Sequence, residues 1–310
     1  MKLAFLYAGQ GSQKAGMGRD FYEAYPSIRP LFESASLEFD LKTMCFENPD
    51  GKLDQTRYTQ PCMVAFAAAV TQLFYENGIV PDAAAGLSLG EYSALHAAGV
   101  FDAQTAISLT AYRGAVMEET TRGMDSKMVA VLGLAREKVE RSVQQADGAV
   151  DIANINCTGQ IVIGGEAAAV DRAADIAKML GAKRCLPLNV SGPFHTRFME
   201  EASQLLSEKL RQTPFLEPKF PVYHNVTGGA LADGMSIKEA LVLQIKRPVQ
   251  FEATLLNLAD DGFDTVVEIG PGKVLSGFVR KTAPQLKAVS VETAAEFLNA
   301  LTALKGGSAQ

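Results

Sequence analysis

The sequence predicts an α/β protein: a parallel sheet covered by helices, with a smaller α+β unit inserted into it. Three observations carry this. Short apolar runs (Leu3–Ala8, Ala83–Leu87, Thr265–Ile269) each stop at Gly or Ser, and helical stretches alternate with them. Between residues 126 and 190 the pattern becomes β-α-β-β-α-β, the ferredoxin-like order. The composition, 47% hydrophobic and 21% charged over 310 residues, suits a chain that buries a sizeable core and excludes intrinsic disorder.

Each element follows in turn. Leu3–Ala8 reads as a buried strand entering a tight loop at Gly9-Gln10-Gly11. Polar and helical stretches reach to about residue 57. Pro61–Tyr75 is a long helical pattern, closed by Gly78 and Pro81. Ala83–Leu87 is a second strand, and Leu89–Ala98 a helix with Gly99 as its stop. Ala103–Thr120 is another helix. The inserted unit reads as strand Lys127–Leu134, helix Arg136–Gln145, strands Val150–Asn156 and Gln160–Gly164 joined at Thr158-Gly159, helix Ala167–Leu180 and strand Lys183–Val190. Thr196–Arg211 is helical, and Phe220–Asn225 is a strand followed by a Gly228-Gly229 turn. Ile237–Ile245 and Phe251–Leu258 are helical, and strand Thr265–Ile269 ends at Gly270-Pro271-Gly272. The tail from Gly306 reads as disordered. The expected organisation is one catalytic unit from residues 1–125 and 191–310 and one ferredoxin-like unit from 126–190.

Several function classes drop out. The net charge is −6 and no Lys/Arg run exceeds two, so the basic stripe of a nucleic-acid binder is missing. Cys45, Cys62, Cys157 and Cys185 lack metal or disulfide-framework spacing and read as buried or semi-buried thiols in a reducing compartment. The N-terminal apolar run is too short for a signal sequence, and Cys62–Val70 is half a membrane span. Without a secretory signal, the Asn-x-Ser/Thr triplets at Asn156, Asn189 and Asn225 are chance matches. A cytoplasmic protein is expected. Gly9-Gln10-Gly11-Ser12-Gln13-Lys14 does not complete a dinucleotide fingerprint, and neither Gly-Lys pair completes a P-loop.

Gly86-Leu87-Ser88-Leu89-Gly90 fits Gly-x-Ser-x-Gly between a strand and a helix, the context a nucleophile elbow requires. The bland reading of Ser88 is a helix N-cap. A nucleophilic serine needs a base, and the chain holds three histidines. His96 lies eight residues on along the same helix, roughly 12 Å away, too far to bond Ser88. His224, near a strand end beside Asn225, reads as a satisfied structural histidine. His195, in the loop Ser191-Gly192-Pro193-Phe194-His195, is the favoured base. No acidic residue stands out as the third member, so either a remote acid or a neutral acceptor such as a backbone carbonyl orients the imidazole.

An ordered series of motifs spans the chain: Gly9-Gln10-Gly11-Ser12-Gln13, Gly86-Leu87-Ser88-Leu89-Gly90-Glu91-Tyr92-Ser93-Ala94, Tyr112-Arg113-Gly114, Gly192-Pro193-Phe194-His195-Thr196 and Glu268-Ile269-Gly270-Pro271-Gly272. The series resembles the malonyl-CoA:acyl carrier protein transacylases and the acyltransferase domains of fatty acid and polyketide synthases. The free-standing length looks like the discrete enzyme. The resemblance implies an α/β-hydrolase-like parallel-sheet domain with an inserted ferredoxin-like subdomain. It implies malonyl transfer from malonyl-CoA to the phosphopantetheine thiol of acyl carrier protein, through a malonyl-serine, for fatty acid or polyketide chain extension. Ser88 would be the nucleophile and His195 its base, with the backbone carbonyl of Gln244 accepting the His195 ring N–H. The backbone N–H groups of Gln10 and Leu89 would form the oxyanion hole.

By the same resemblance, Arg113 would hold the free malonyl carboxylate, a pairing that the planar guanidinium fork suits; read alone, an Arg on a helix is a surface charge. Phe194 and Met117 would shape the acyl pocket, and Gln60 and Asn156 would touch the acyl or CoA portion, against bland readings of core packing and loop-end amides. The family usually carries His before the serine, where this chain has Leu87. No cofactor and no metal are implied, the carrier supplying its own phosphopantetheine. A monomer is expected, docking an acidic carrier through a basic patch for which Lys183-Arg184 is one candidate. Two rivals remain open: a serine esterase or thioesterase, and a non-catalytic carrier-docking module.

Overall fold

In a computed structural model the structure describes residues 1–306, so the disorder expected of the tail falls, for 307–310, outside the described residues. Among the described residues ten strands form two five-stranded sheets. They are β1 (Leu3–Tyr7), β2 (Ala83–Gly86), β3 (Ser126–Leu132), β4 (Val150–Cys157), β5 (Gln160–Glu166), β6 (Arg184–Pro187), β7 (Val222–Tyr223), β8 (Val249–Gln250), β9 (Thr265–Ile269) and β10 (Lys287–Val291).

The first sheet runs β10-β9-β1-β2-β7, and every pairing in it is parallel. All residues of β1, β2 and β9 are buried, which is why they read as continuous apolar runs rather than alternating ones. The register Tyr7↔Gly86 and Tyr7↔Ile269 aligns the C-terminal ends of the three central strands. Ligand sites of open parallel sheets form at that edge, where the loops Gly9–Gln10, Leu87–Ser88 and His224–Asn225 leave β1, β2 and β7.

The second sheet runs β6-β3-β5-β4-β8. Its first four strands pair antiparallel, in the ferredoxin-like order. Helices Arg136–Gln145 and Ala167–Met179 pack on each other and on this sheet. In this sheet one strand is unforeseen: β8 comes from the chain after residue 190 and joins β4 in parallel, Asn154↔Val249 and Ile155↔Gln250. The second sheet is thus stitched to the segment that follows Gln244. A strand of two residues carries no periodic signal.

Other boundaries differ for physical reasons. The long helix is Thr56–Glu76, so Pro61 lies inside it rather than at its start. The proline lacks an N–H for the Arg57 carbonyl, but lies near the helix start, where the disruption is small. The segment read as Phe220–Asn225 joins β2 only at Val222–Tyr223; His224 bridges Gly229 instead, and the His224 and Asn225 side chains turn into the site. Lys183–Val190 contracts to β6, and Thr196–Arg211 opens on a 3₁₀ turn (Arg197–Met199) before the α-helix Glu200–Gln212. After Gly272 the chain adds helix Val274–Thr282, β10 and helix Ala294–Gly306; Gly306, where a disordered tail was expected to begin, is instead the last residue of that helix.

Candidate active site

Ser88 stands at the turn from β2 into helix Gly90–Ala97 with φ +51°, left-handed backbone that a side-chain-bearing residue rarely adopts. Such strain persists only where its surroundings hold it, and it clusters at functional sites. The two glycines of the elbow make the turn possible. A Cβ on Gly86 would lie 1.9 Å from the Gly90 carbonyl carbon, and one on Gly90 would lie 2.2 Å from the Tyr7 carbonyl oxygen. His195 shares the strained conformation, with φ +63°.

The Ser88 Oγ lies 2.6 Å from His195 Nε2, and His195 Nδ1 lies 2.7 Å from the Gln244 carbonyl oxygen. A carbonyl only accepts, so Nδ1 carries the ring proton and Nε2 is free to accept from the serine hydroxyl. The backbone N–H of His195 also donates to the Ile245 carbonyl at 3.1 Å, so the loop is tied to the C-terminal end of helix Ile237–Gln244. Burial, reinforced by the Arg113 charge and opposed by the Gln244 carbonyl, pushes the His195 pKa down to about 3. The imidazole is therefore neutral, with Nε2 able to take a proton. The acceptor that orients the ring, left open by the sequence, is the Gln244 backbone carbonyl.

Arg113 is fully buried, 1% exposed, which overturns its bland reading as a surface charge. The cause is local: helix Ala103–Thr120 presses against helix Thr56–Glu76 at Gly114, where a Cβ would lie 2.6 Å from the Thr56 carbonyl oxygen. The guanidinium donates from Nη2 to Ser88 Oγ at 3.2 Å and to Gln244 Oε1 at 3.0 Å, lies over the Tyr92 ring, and leaves Nε without a partner. Its bonded partners are neutral, so the site holds a desolvated cation ready for an anion. Burial lowers its pKa.

The structure brings Ser88, His195, Arg113 and Gln244 into one bonded group. Leu89 follows Ser88, and Gln10 leaves β1 beside the elbow, its side chain bonded to Thr56 Oγ1 at 3.0 Å. Among the described residues neither the Gln10 nor the Leu89 backbone N–H has a hydrogen-bond partner. Met117, one turn from Arg113, is buried and its sulfur accepts from Gln60 Nε2 at 3.4 Å; Gln60 Oε1 is buried without a partner. Phe194 is buried beside His195. Asn156 lies at the end of β4 with a buried, unpartnered Oδ1, and no bond links it to Ser88, His195 or Arg113 among the described residues. His96 bonds the Phe101 carbonyl instead of Ser88, and His224 bonds Glu91.

A cavity of about 590 Å³ opens between helix Arg136–Gln145, β4 and the loops at His195 and Lys246; its walls include His195, Thr196, Arg197, Lys246, Asp151 and Ile152. The motif Glu268-Ile269-Gly270-Pro271-Gly272 is structural: the buried Glu268 carboxylate accepts from the Leu275 and Ser276 N–H groups and caps the next helix. Sequence reasoning missed Asn225 and Glu91. Asn225 Oδ1 accepts from the Ser88 N–H at 2.7 Å while its Nδ2 donates to the Gly86 carbonyl at 2.7 Å, bracing the strained elbow. Its position just past a strand end at the C-terminal edge was the available signal. The four cysteines are free thiols. Lys183 and Arg184 are exposed. Among the described residues no group of three or more His, Cys, Asp or Glu could hold a metal, and no helix is long and apolar enough to cross a membrane.

The model of the acyl transferase domain family matches residues 4–299. The malonyl CoA-acyl carrier protein transacylase of Bacillus subtilis is 42% identical over 295 residues, covering 94% of this chain and 93% of that protein. The crystal structure of the malonyl CoA-acyl carrier protein transacylase of Clostridium perfringens superposes with a TM-score of 0.95 at 35% identity, covering 99% of this chain and 98% of that one. A malonyl-transacylase solved in complex with its type II polyketide acyl carrier protein superposes at 0.94 with 37% identity, covering 98% and 100%. An elbow serine, a neutral histidine and a buried arginine meet on one hydroxyl, within a fold shared over nearly its whole length with these transacylases: the chain belongs to the acyl transferase domain family.

Proposed function

We propose that this protein transfers the malonyl group from malonyl-CoA to the phosphopantetheine thiol of an acyl carrier protein, supplying fatty acid or polyketide chain extension. The observation that carries the reading is the convergence on Ser88 Oγ of a base at 2.6 Å and a buried, unpaired guanidinium at 3.2 Å. A hydrolase of simple esters has no use for that cation; a transferase of a half-thioester of a dicarboxylic acid does.

In the first half-reaction the Ser88 Oγ attacks the thioester carbonyl and its proton passes to His195 Nε2. The oxyanion accepts from the Gln10 and Leu89 N–H groups, whose free donors support this role. The carbon–sulfur bond breaks, and the departing thiolate takes the proton from His195. In the second half the carrier thiol gives its proton to His195 and attacks the malonyl-serine, and Ser88 leaves with that proton. Gln244 holds the His195 tautomer throughout. Arg113 pairs with the malonyl carboxylate, and Met117, Gln60 and Phe194 wall the acyl group. Asn156 lies toward the second sheet, where it meets the CoA or pantetheine portion.

In this reading residues 1–125 and 191–310 form the catalytic unit, and 126–190 form the smaller unit. The cavity beside His195 is the route for the thioester arm, and the exposed Lys183-Arg184 pair meets the acidic carrier. The enzyme works as a cytoplasmic monomer without a cofactor of its own. Mixing it with malonyl-CoA alone should release one equivalent of CoA and then stop, until carrier protein restarts turnover. Continuous release of free malonate without carrier is the result that would make it a hydrolase.

A further inference from the structure

Beneath the nucleophile lies a buried polar cluster that the mechanism above does not use. The Glu91 carboxylate, 0% exposed, sits in the first turn of the elbow helix. Its Oε1 accepts from His224 Nδ1 at 2.8 Å; its Oε2 accepts from the Asn225 N–H at 3.1 Å and from Gln244 Nε2 at 2.8 Å. Gln244 then reaches Ser88, Arg113 and His195 at once. Its Nε2 also donates to the Ser88 carbonyl at 2.9 Å, its Oε1 accepts from Arg113, and its main-chain carbonyl holds His195.

The direction of the Gln244 amide decides whether Arg113 is held. Three oxygens, from Glu91, Ser88 and Asn225, face the NH₂ end, and the guanidinium faces the carbonyl end. Turned around, the amide would set its NH₂ against Arg113 and its oxygen against a carboxylate. A carboxylate can only accept, so Glu91 fixes the orientation.

We propose that Glu91 is a positioning residue for substrate selection: by orienting the Gln244 amide it keeps the Arg113 guanidinium aimed at the carboxylate of a dicarboxylic acyl group. This rests on the malonyl reading of Arg113. Glu91 touches no substrate; it acts through Gln244. The effect falls on discrimination between malonyl and acetyl groups, because only the former uses Arg113.

The test measures Ser88 acylation rates with malonyl-CoA and acetyl-CoA for wild type, Glu91→Met, Glu91→Gln, Gln244→Met and the double variant Glu91→Met/Gln244→Met. Gln244→Met removes the side-chain amide and leaves the main-chain carbonyl for His195. Glu91→Met and Gln244→Met should each lower the malonyl-to-acetyl ratio about tenfold, the loss expected for one hydrogen bond to a charged group. The double variant should be no lower than Gln244→Met alone, because the two residues act in series. Glu91→Gln should recover most of the ratio, since its oxygen can serve Gln244 while its NH₂ faces a His224 that has switched tautomer. Equal losses for both acyl groups, or losses that multiply in the double variant, would overturn the proposal. Should Glu91→Met not fold, Gln244→Met decides alone: an unchanged ratio overturns it. A wild type with no malonyl preference would instead fault the reading of Arg113 itself.

Discussion

Replacing Arg113 with Ala separates binding from folding. The side chain is 1% exposed and, among the described residues, hydrogen-bonded to Ser88 Oγ and Gln244 Oε1 with Nε unpartnered. In the free protein, Arg113→Ala removes a desolvated cation that no carboxylate pairs, so the cost to stability is that of a cavity offset by relief of the buried charge. With malonyl-CoA bound, the same change leaves the malonyl carboxylate buried without its cation. Truncating one partner of such a pair costs about 2–5 kcal/mol, or roughly 30- to 5,000-fold. The assay is rapid-quench acylation of Ser88 by malonyl-CoA and by acetyl-CoA, with melting temperature as the folding control. Malonyl acylation should collapse by that factor, acetyl acylation should hold or rise, and the fold should survive. A parallel fall for both substrates, or an unchanged malonyl preference, would refute the clamp.

Other expectations follow from the same geometry. His195→Ala should slow Ser88 acylation by about 10²–10⁴-fold, read in the same rapid-quench assay; acylation at the wild-type rate would place the base elsewhere. Because His195 stays neutral down to about pH 3, acylation by the wild type should be flat from about pH 8 to about pH 5, whereas an ordinary imidazole loses half its base form near about pH 6.5. The same lowered pKa means the unfolded chain binds the proton first as pH falls. Stability should therefore drop between about pH 6.5 and about pH 3, by at most about 5 kcal/mol from this group, and be unaffected by it above that window; melting curves across the range read it. Gly86→Ala drives a Cβ to 1.9 Å from the Gly90 backbone and should prevent native folding, seen as loss of the cooperative melting transition. EDTA should leave transfer unchanged in the coupled assay, since the mechanism asks nothing of a metal.

How much of this the sequence displays depends on the range of each interaction. The elbow is legible because its requirements are local: Gly86 and Gly90 flank Ser88, with a strand before and a helix after. His195 is reachable by elimination among three histidines, and the β-α-β-β-α-β order reads directly from alternating runs. Arg113 is legible only through family resemblance, because its burial comes from the close approach of two helices at Gly114 and leaves no periodic trace. The Gln244 carbonyl likewise belongs to any residue type, so only tertiary structure or resemblance can nominate it. Glu91, Asn225 and Gln244 bond across separations of 134 and 153 residues and look like ordinary polar positions in the chain. The brief β8 and β7 pairings are set by neighbours, not by propensity.

The most direct measurement is the intact mass of the protein after exposure to malonyl-CoA without carrier, followed by peptide mapping, for wild type and Ser88→Ala. A stable increment of one malonyl group on the Ser88 peptide, absent from Ser88→Ala and discharged by holo acyl carrier protein, is the expected result. A carrier loaded by Ser88→Ala at an undiminished rate, or an increment on another residue, would contradict the account at its root.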